Sequence, residues 1–205
     1  MPRIFEIITD QIGPIKTTFE TLKDVLPDVN IECRSIFKKD TNSIGNSVSK
    51  EDTDSKPKNW GYMKIFAIDI TKNALIDVKL DASSFDKFEC NTKSKKIHLG
   101  INLANFYKIL KTIDKDEWLT LYVDDEERNV LNIKINNHDE QKDNFFKLKL
   151  LDLPDNGQQI PDTNVDSHII MGSQEFHKTC REMIGIADFV EFQCLPDAFI
   201  MKCKG

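Results

Sequence analysis

The 205-residue chain contains no apolar run near the ~18 residues of a membrane span. Its first residues, Met1-Pro2-Arg3-Ile4-Phe5-Glu6-Ile7-Ile8, lack the long apolar core and small-residue cleavage site of a secretion signal. An intracellular protein is expected, with no membrane partner. Five cysteines (Cys33, Cys90, Cys180, Cys194, Cys203) form no C-x-x-C pair, and four histidines (His98, His138, His168, His177) are equally scattered. That pattern speaks against structural zinc and fits reduced thiols acting as small buried hydrophobes. Catalytic signatures are missing as well. There is no glycine-rich phosphate loop, no H-E-x-x-H, no G-x-S-x-G and no D-x-D-x-D-G. Asp124, Asp125, Glu126 and Glu127 crowd one turn, where like charges need water rather than a reaction partner. No cofactor, metal or enzyme class is expected.

What is present reads as ordinary soluble composition, 40% hydrophobic and 30% charged, enough for one large domain or two small ones. Period-2 apolar alternation dominates: Phe5/Ile7, Ile76/Val78/Leu80, Ile97/Leu99/Ile101, Leu119/Leu121/Val123, Leu131/Ile133/Ile135, Phe146/Leu148/Leu150, Val190/Phe192/Cys194 and Phe199/Met201/Cys203. These predict half-buried antiparallel strands joined by polar hairpins. Helical spacing covers residues 12–25 (Ile15, Phe19, Leu22, Val25), 103–113 (Phe106, Ile109, Leu110, Ile113) and 173–186 (Phe176, Cys180, Met183, Ile184), with Ser173 as the expected N-cap of the last. The expected fold class is α+β, antiparallel sheets with helices on one face. Residues 38–59 carry only Ile44 and Val48 as larger apolar side chains and predict a mobile loop between two strands. A tolerated insertion and a regulatory or partner-binding segment are both open readings.

Two further features bear on function. Residues 148–161 end a strand pattern and then run through Pro154, Asn156-Gly157 and Pro161, which exclude helix and central strand. Leu153 and Ile160 are apolar on a segment that needs no apolar residues if it is only a tether. It is either an ordinary loop or one wall of a groove. Second, the net charge is −6, which argues against generic nucleic-acid binding, yet all three helices carry cations. Lys16 and Lys23 lie seven apart on the first. Lys108 and Lys111, then Lys178 and Arg181, repeat a Phe-x-Lys-x-x-Lys/Arg spacing on the second and third. Any one charged helix face is ordinarily a solvated face. Three together, with acidic residues gathered in the turns, suit a surface that faces phosphates without reading bases.

Several ordered segments carry a family resemblance: Phe85-Asp86-Lys87-Phe88-Glu89-Cys90, Leu99-Gly100-Ile101-Asn102-Leu103, residues 106–111, Leu119-Thr120-Leu121, residues 147–153, Ile160-Pro161, Ser173-Gln174-Glu175-Phe176, Cys180-Arg181-Glu182-Met183 and Ile186-Ala187-Asp188. In order and spacing the chain resembles the eukaryotic-type DNA sliding clamp family, proliferating cell nuclear antigen. The resemblance covers nearly all of it except residues 38–59.

The resemblance implies a two-domain DNA-clamp fold, with residues 1–150 as the first domain, 151–165 as the interdomain connecting loop and 166–205 as a partial second domain. It implies a homotrimeric ring around double-stranded DNA, a polymerase processivity factor in DNA replication and repair. Lys16, Lys23, Lys108, Lys111, Lys178 and Arg181 would face the DNA, with Thr17 where relatives often have another lysine. Ile68, Leu75, Ile160 and Pro161 would form a pocket for PCNA-interacting peptides. Gln158 stands in place of an apolar loop residue, and Lys72 and Asn73 also depart from the family. Leu75 fits that pocket independently, being apolar but out of phase with Ile76, Val78 and Leu80. Subunits would join along residues 144–150 (Phe146, Leu148, Leu150) and 199–203 (Phe199, Met201). Implied partners are DNA polymerase, the clamp loader and peptide-bearing proteins. The implied site is the nucleus, or a cytoplasmic replication site if viral. The chain stops at Cys203-Lys204-Gly205, about mid-domain, as a fragment or a divergent short form. The alternative function is a non-enzymatic clamp-like scaffold or a checkpoint-type subunit of a hetero-ring.

Overall fold

Phe5 and Ile7 alternate along strand β1 (Arg3–Thr9), and their burial anchors an antiparallel sheet. β1 lies between β5 (Lys87–Cys90) and β7 (Glu117–Asp124), and the sheet continues through β8 (Val130–Asn137) to β9 (Lys142–Lys149). A second antiparallel sheet orders β4 (Leu75–Asp81), β3 (Gly61–Ile68), β2 (Asp28–Ser35) and β6 (Lys96–Asn102). The structure is a computed structural model and describes residues 2–35, 61–69, 71, 72, 74–137, 142–154 and 167–205. The expected insertion at 38–59 lies outside the described residues.

The chain divides into two compact units, Met1–Gln158 and Gln159–Gly205. In the first unit both sheets and two helices share one core. Helix α1 (Ile12–Lys23) buries Ile12, Ile15, Phe19 and Leu22, spaced three, four and three apart, as one apolar stripe requires. It packs beside β7 and along helix α2 (Leu103–Leu110). α2 starts where the Asn102 side chain accepts the amide of Asn105 at 3.0 Å, an N-cap that satisfies one of the helix's free donors. Phe19 meets the edge of Phe106 with ring centroids 4.9 Å apart.

The α+β expectation with antiparallel sheets holds, and the expected alternations fall on β1, β4 and β6–β9. Alternation did not locate β2, β3 or β5: β2 and β3 were expected only as the two unplaced strands on either side of residues 38–59, and β5 was not expected as a strand. The alternation of Val29, Ile31 and Cys33 in β2 was there to be used, since all three are buried. In β3 the contiguous apolar run Ile65-Phe66-Ala67-Ile68 hides the period. Two helix ends also need correction. α1 ends at Lys23, leaving Val25 exposed, while Leu26 takes the buried position expected of it. α2 ends at Leu110, and Ile113 is buried three residues beyond it.

The second unit contains helix α3 (Ser173–Ile184) and the hairpin β10 (Val190–Cys194)–β11 (Phe199–Cys203). α3 buries no residue, contrary to the apolar face expected of Phe176, Cys180, Met183 and Ile184. Ser173 is the first helical residue rather than the cap, which falls on Gly172. The reason is size: one helix and a two-stranded ribbon cannot enclose a core. Phe176, Phe192 and Phe199 stack in series at 6.5 and 5.8 Å instead. The cysteines divide similarly. Cys33 and Cys90 are buried, Cys180 and Cys203 half-buried, and Cys194 exposed.

Candidate functional site

The expected DNA-facing cations occupy different environments. Lys16 points its ammonium back across the helix pair and donates to the carbonyl of Ile113. Lys23 pairs with Asp24 and lies 5.2 Å from the ring centroid of Tyr107. The Glu20 carboxylate nearby holds the Tyr107 phenol above its ordinary pKa. Lys108 and Lys111 are exposed, and neither has an ion-pair partner among the described residues. In the second unit Lys178 reaches Glu182 at 4.0 Å, and Arg181 lies 3.5 Å from the His177 ring nitrogen. Charge is therefore less segregated than the sequence suggested, because Glu20 and Asp24 share the α1 surface with Lys16 and Lys23.

Of the candidate peptide-pocket residues, the structure brings Ile68 and Leu75 together. They are directly opposite each other at the end of the β3–β4 ladder, 37% and 42% exposed. The turn that joins them is held by Asp69. Its carboxylate accepts the amides of Ala74 at 2.7 Å and Thr71 at 3.2 Å, and its own amide donates to the Ala74 carbonyl at 3.0 Å. Lys72 sits in this turn at φ 60°, a left-handed backbone unusual for a side chain of its length. Phe66, two residues before Ile68, shares its outward face and was not singled out from sequence; its ring carries the Lys64 ammonium at 5.2 Å. Gln158, Ile160 and Pro161 lie outside the described residues, as does Asn73.

The start of the expected connecting loop is well tied. After β9 the amide of Leu150 donates to Asn129 at 2.8 Å, and the amide of Leu151 donates to Gly100 in β6 at 2.8 Å. The chain thus passes from the edge of one sheet to the edge of the sheet that carries Ile68 and Leu75. Gly100 is required by this approach, since a Cβ there would lie 2.1 Å from the Leu151 carbonyl oxygen.

β9 ends its sheet, and its outer edge has no strand partner among the described residues. Phe146, Leu148 and Leu150 are half-buried and turn toward the core. What the edge presents outward is its backbone, Lys147 and the 64%-exposed Phe145, over which Lys134 sits at 5.3 Å. Phe199 and Met201 are half-buried on β11, whose outer edge is likewise open among the described residues. Among the described residues no three His, Cys, Asp or Glu side chains are grouped to hold a metal, and no helix is long and apolar enough to cross a membrane.

Comparison with known proteins places these features in context. Residues 34–157 match the family described as proliferating cell nuclear antigen, N-terminal domain. The chain is similar to a probable DNA polymerase sliding clamp of Acanthamoeba polyphaga mimivirus, 26% identical over 98% of this chain and 46% of the relative. It is also similar to the proliferating cell nuclear antigen of Chaetomium thermophilum, 26% identical over 98% of this chain and 67% of the relative. It thus spans about half to two thirds of the length of these relatives. The crystal structure of the Entamoeba histolytica protein of that name superposes over 100% of this chain and 71% of its own, with a TM-score of 0.77 and 22% identity, a likeness of fold.

Proposed function

The chain belongs to the proliferating cell nuclear antigen family, and from that premise we propose that it acts as a DNA sliding clamp, a processivity factor for DNA polymerase. The observation that carries this reading is the match over residues 34–157 on a fold that exposes the Ile68–Leu75 pair on one sheet and unpaired lysines on a helix. The protein encircles duplex DNA without reading sequence, held by exposed cations whose contact with phosphate depends steeply on salt. Lys108 and Lys111 serve this from the first unit, and Lys178 and Arg181 from the second.

Partners bearing a PCNA-interacting peptide dock an apolar turn on Ile68 and Leu75, and Gln158, Ile160 and Pro161 of the connecting segment are the further residues assigned to the same role by the family resemblance. Subunits close a ring trimer by strand pairing at the β9 edge (Phe146, Leu148, Leu150) and the β11 edge (Phe199, Met201). The site of action is wherever the cognate DNA is replicated, the nucleus or a viral replication site in the cytoplasm. The role is binding and recruitment rather than catalysis.

The test is light scattering of the full-length protein together with polymerase extension on primed circular DNA. A trimer that raises product length supports the reading. A species that stays monomeric at micromolar concentration and gives no stimulation sinks it. A clamp-like scaffold or a hetero-ring subunit is the competing reading, favoured by the pairing of Lys16 and Lys23 within the fold. Charge reversal of Lys108, Lys111, Lys178 and Arg181 separates the two. A clamp loses processivity, whereas a scaffold keeps its partners and its function.

A further inference from the structure

The two cations of α1 and the two of α2 are not equivalent. Lys16, Phe19 and Lys23 follow one another along α1, and they meet Ile113, Phe106 and Tyr107 on and after α2. The helices therefore run in opposite directions, and the aromatic contact is flanked by one polar clasp on each side. At one clasp the Lys16 ammonium donates to the carbonyl of Ile113. The Ile113 amide donates to the Leu110 carbonyl at 3.2 Å, so the carbonyl that Lys16 binds lies just beyond the turn that closes α2. Helix ends leave such acceptors unpaired and carry partial negative charge, which a cation satisfies. At the other clasp Lys23 sits over the Tyr107 ring and pairs with Asp24.

Several strand lysines of this unit are also paired, as in Lys96–Glu32 at 2.8 Å and Lys134–Asp143 at 2.9 Å, though exposed Lys149 on β9 is not among the described residues that pair. Lys108 and Lys111 differ from Lys16 and Lys23. Both are exposed, Lys108 in the last turn of α2 and Lys111 at its C-cap, and neither has an ion-pair partner among the described residues.

We propose that Lys16 and Lys23 are positioning residues that lock α1 against α2, and that the phosphate contacts of this unit are made by Lys108 and Lys111 alone. This rests on the sliding-clamp reading and divides labour among cations that spacing alone treats alike. The lock matters because it holds α2, and with it Lys108, in place against α1. An ammonium already donating to a backbone carbonyl must give up that bond before it reaches a phosphate.

The experiment measures binding of the full-length protein to a fluorescent duplex by anisotropy across a salt series, with thermal melts of each variant. Each phosphate contact contributes about 0.9 to the slope of log affinity against log salt. The Lys108→Ala/Lys111→Ala double variant is expected to lower the slope by about 1.8 per chain and leave Tm unchanged. Lys16→Ala is expected to leave the slope unchanged and to lower Tm by about 2–4 °C, the shift for one lost hydrogen bond in a chain of this size. Lys16→Arg, which keeps charge and donor, restores the Tm. Should Lys16→Ala prove poorly folded, Lys16→Gln still decides the point. An unchanged slope supports the positioning role, and a drop of about 0.9 overturns it. The assignment also fails if the double variant keeps the wild-type slope. If the wild-type protein itself binds duplex with no salt dependence, the clamp reading fails, and this division of labour fails with it.

Discussion

Replacing Gly100 with alanine puts a methyl group 2.1 Å from the Leu151 carbonyl oxygen, 2.9 Å from its carbon and 3.3 Å from its Cβ. Two of these atoms are backbone, so no rotamer change relieves the contact. Either the strap beginning at Leu151 lifts away and its 2.8 Å hydrogen bond to Gly100 breaks, or β6 shifts within its sheet. Overpacking of this kind costs about 1–3 kcal/mol, and the lost hydrogen bond adds about 1 kcal/mol. Against this, alanine reduces the freedom of the unfolded chain, a gain of about 0.4–1 kcal/mol where the backbone permits it. The backbone does permit it, because Gly61 is the only described glycine with positive φ.

The sign of the result is therefore diagnostic. A free edge at Gly100 predicts a more stable variant, and a strapped edge predicts net destabilisation of about 1–3 kcal/mol, a Tm lower by about 3–10 °C. Thermal and urea melts supply the number, and amide exchange at Leu151 reports the strap directly. Gly13→Ala is the control, since a Cβ there meets nothing within 4 Å and α1 should gain stability. If Gly100→Ala matches or exceeds wild-type stability with Leu151 protection intact, the strap is not what this geometry implies.

Four other outcomes are expected. Phe106→Ala removes the ring packed on Phe19 at 1% exposure and should cost about 3–5 kcal/mol in urea unfolding. Leu75→Asp, at an exposed position, should shift stability by no more than about 0.5 kcal/mol yet weaken a PCNA-interacting peptide at least about tenfold in calorimetry, a loss of about 1.4 kcal/mol; unchanged affinity removes Leu75 from the pocket. Burial pushes the Glu32 carboxyl up, but hydrogen bonds from Lys96 and Tyr62 outweigh it and leave its pKa below the ordinary value. Its stabilisation is then fully present above about pH 5 and lost as pH falls through the carboxylate range, so Glu32→Gln should be less stable than wild type near neutrality and converge with it in acid. Finally, maleimide labelling of the native protein should reach Cys194 first and Cys33 last, because complete burial raises the Cys33 thiol well above its usual range.

Alternation alone located β1, β4 and β6 through β9, because a strand with one face in a core must repeat every second residue. The same logic singled out Leu75. An apolar residue against the phase of Ile76, Val78 and Leu80 had to face outward, and it does. The sequence also placed cations on all three helices, and its ordered segments pointed to the family. What it could not supply was anything that depends on a second element arriving. Lys16 and Lys108 look alike in a helical pattern, and only the antiparallel pairing of α1 with α2 brings the Ile113 carbonyl to one and leaves the other free. Ile68 becomes a partner of Leu75 only through the β3–β4 register, and Gly100 becomes irreplaceable only when Leu151 crosses β6. Periodicity is a local property of one chain segment, set by side-chain direction along its own backbone. Charge pairing, cross-strand contact and steric exclusion are relations between segments, and the tertiary structure alone decides them.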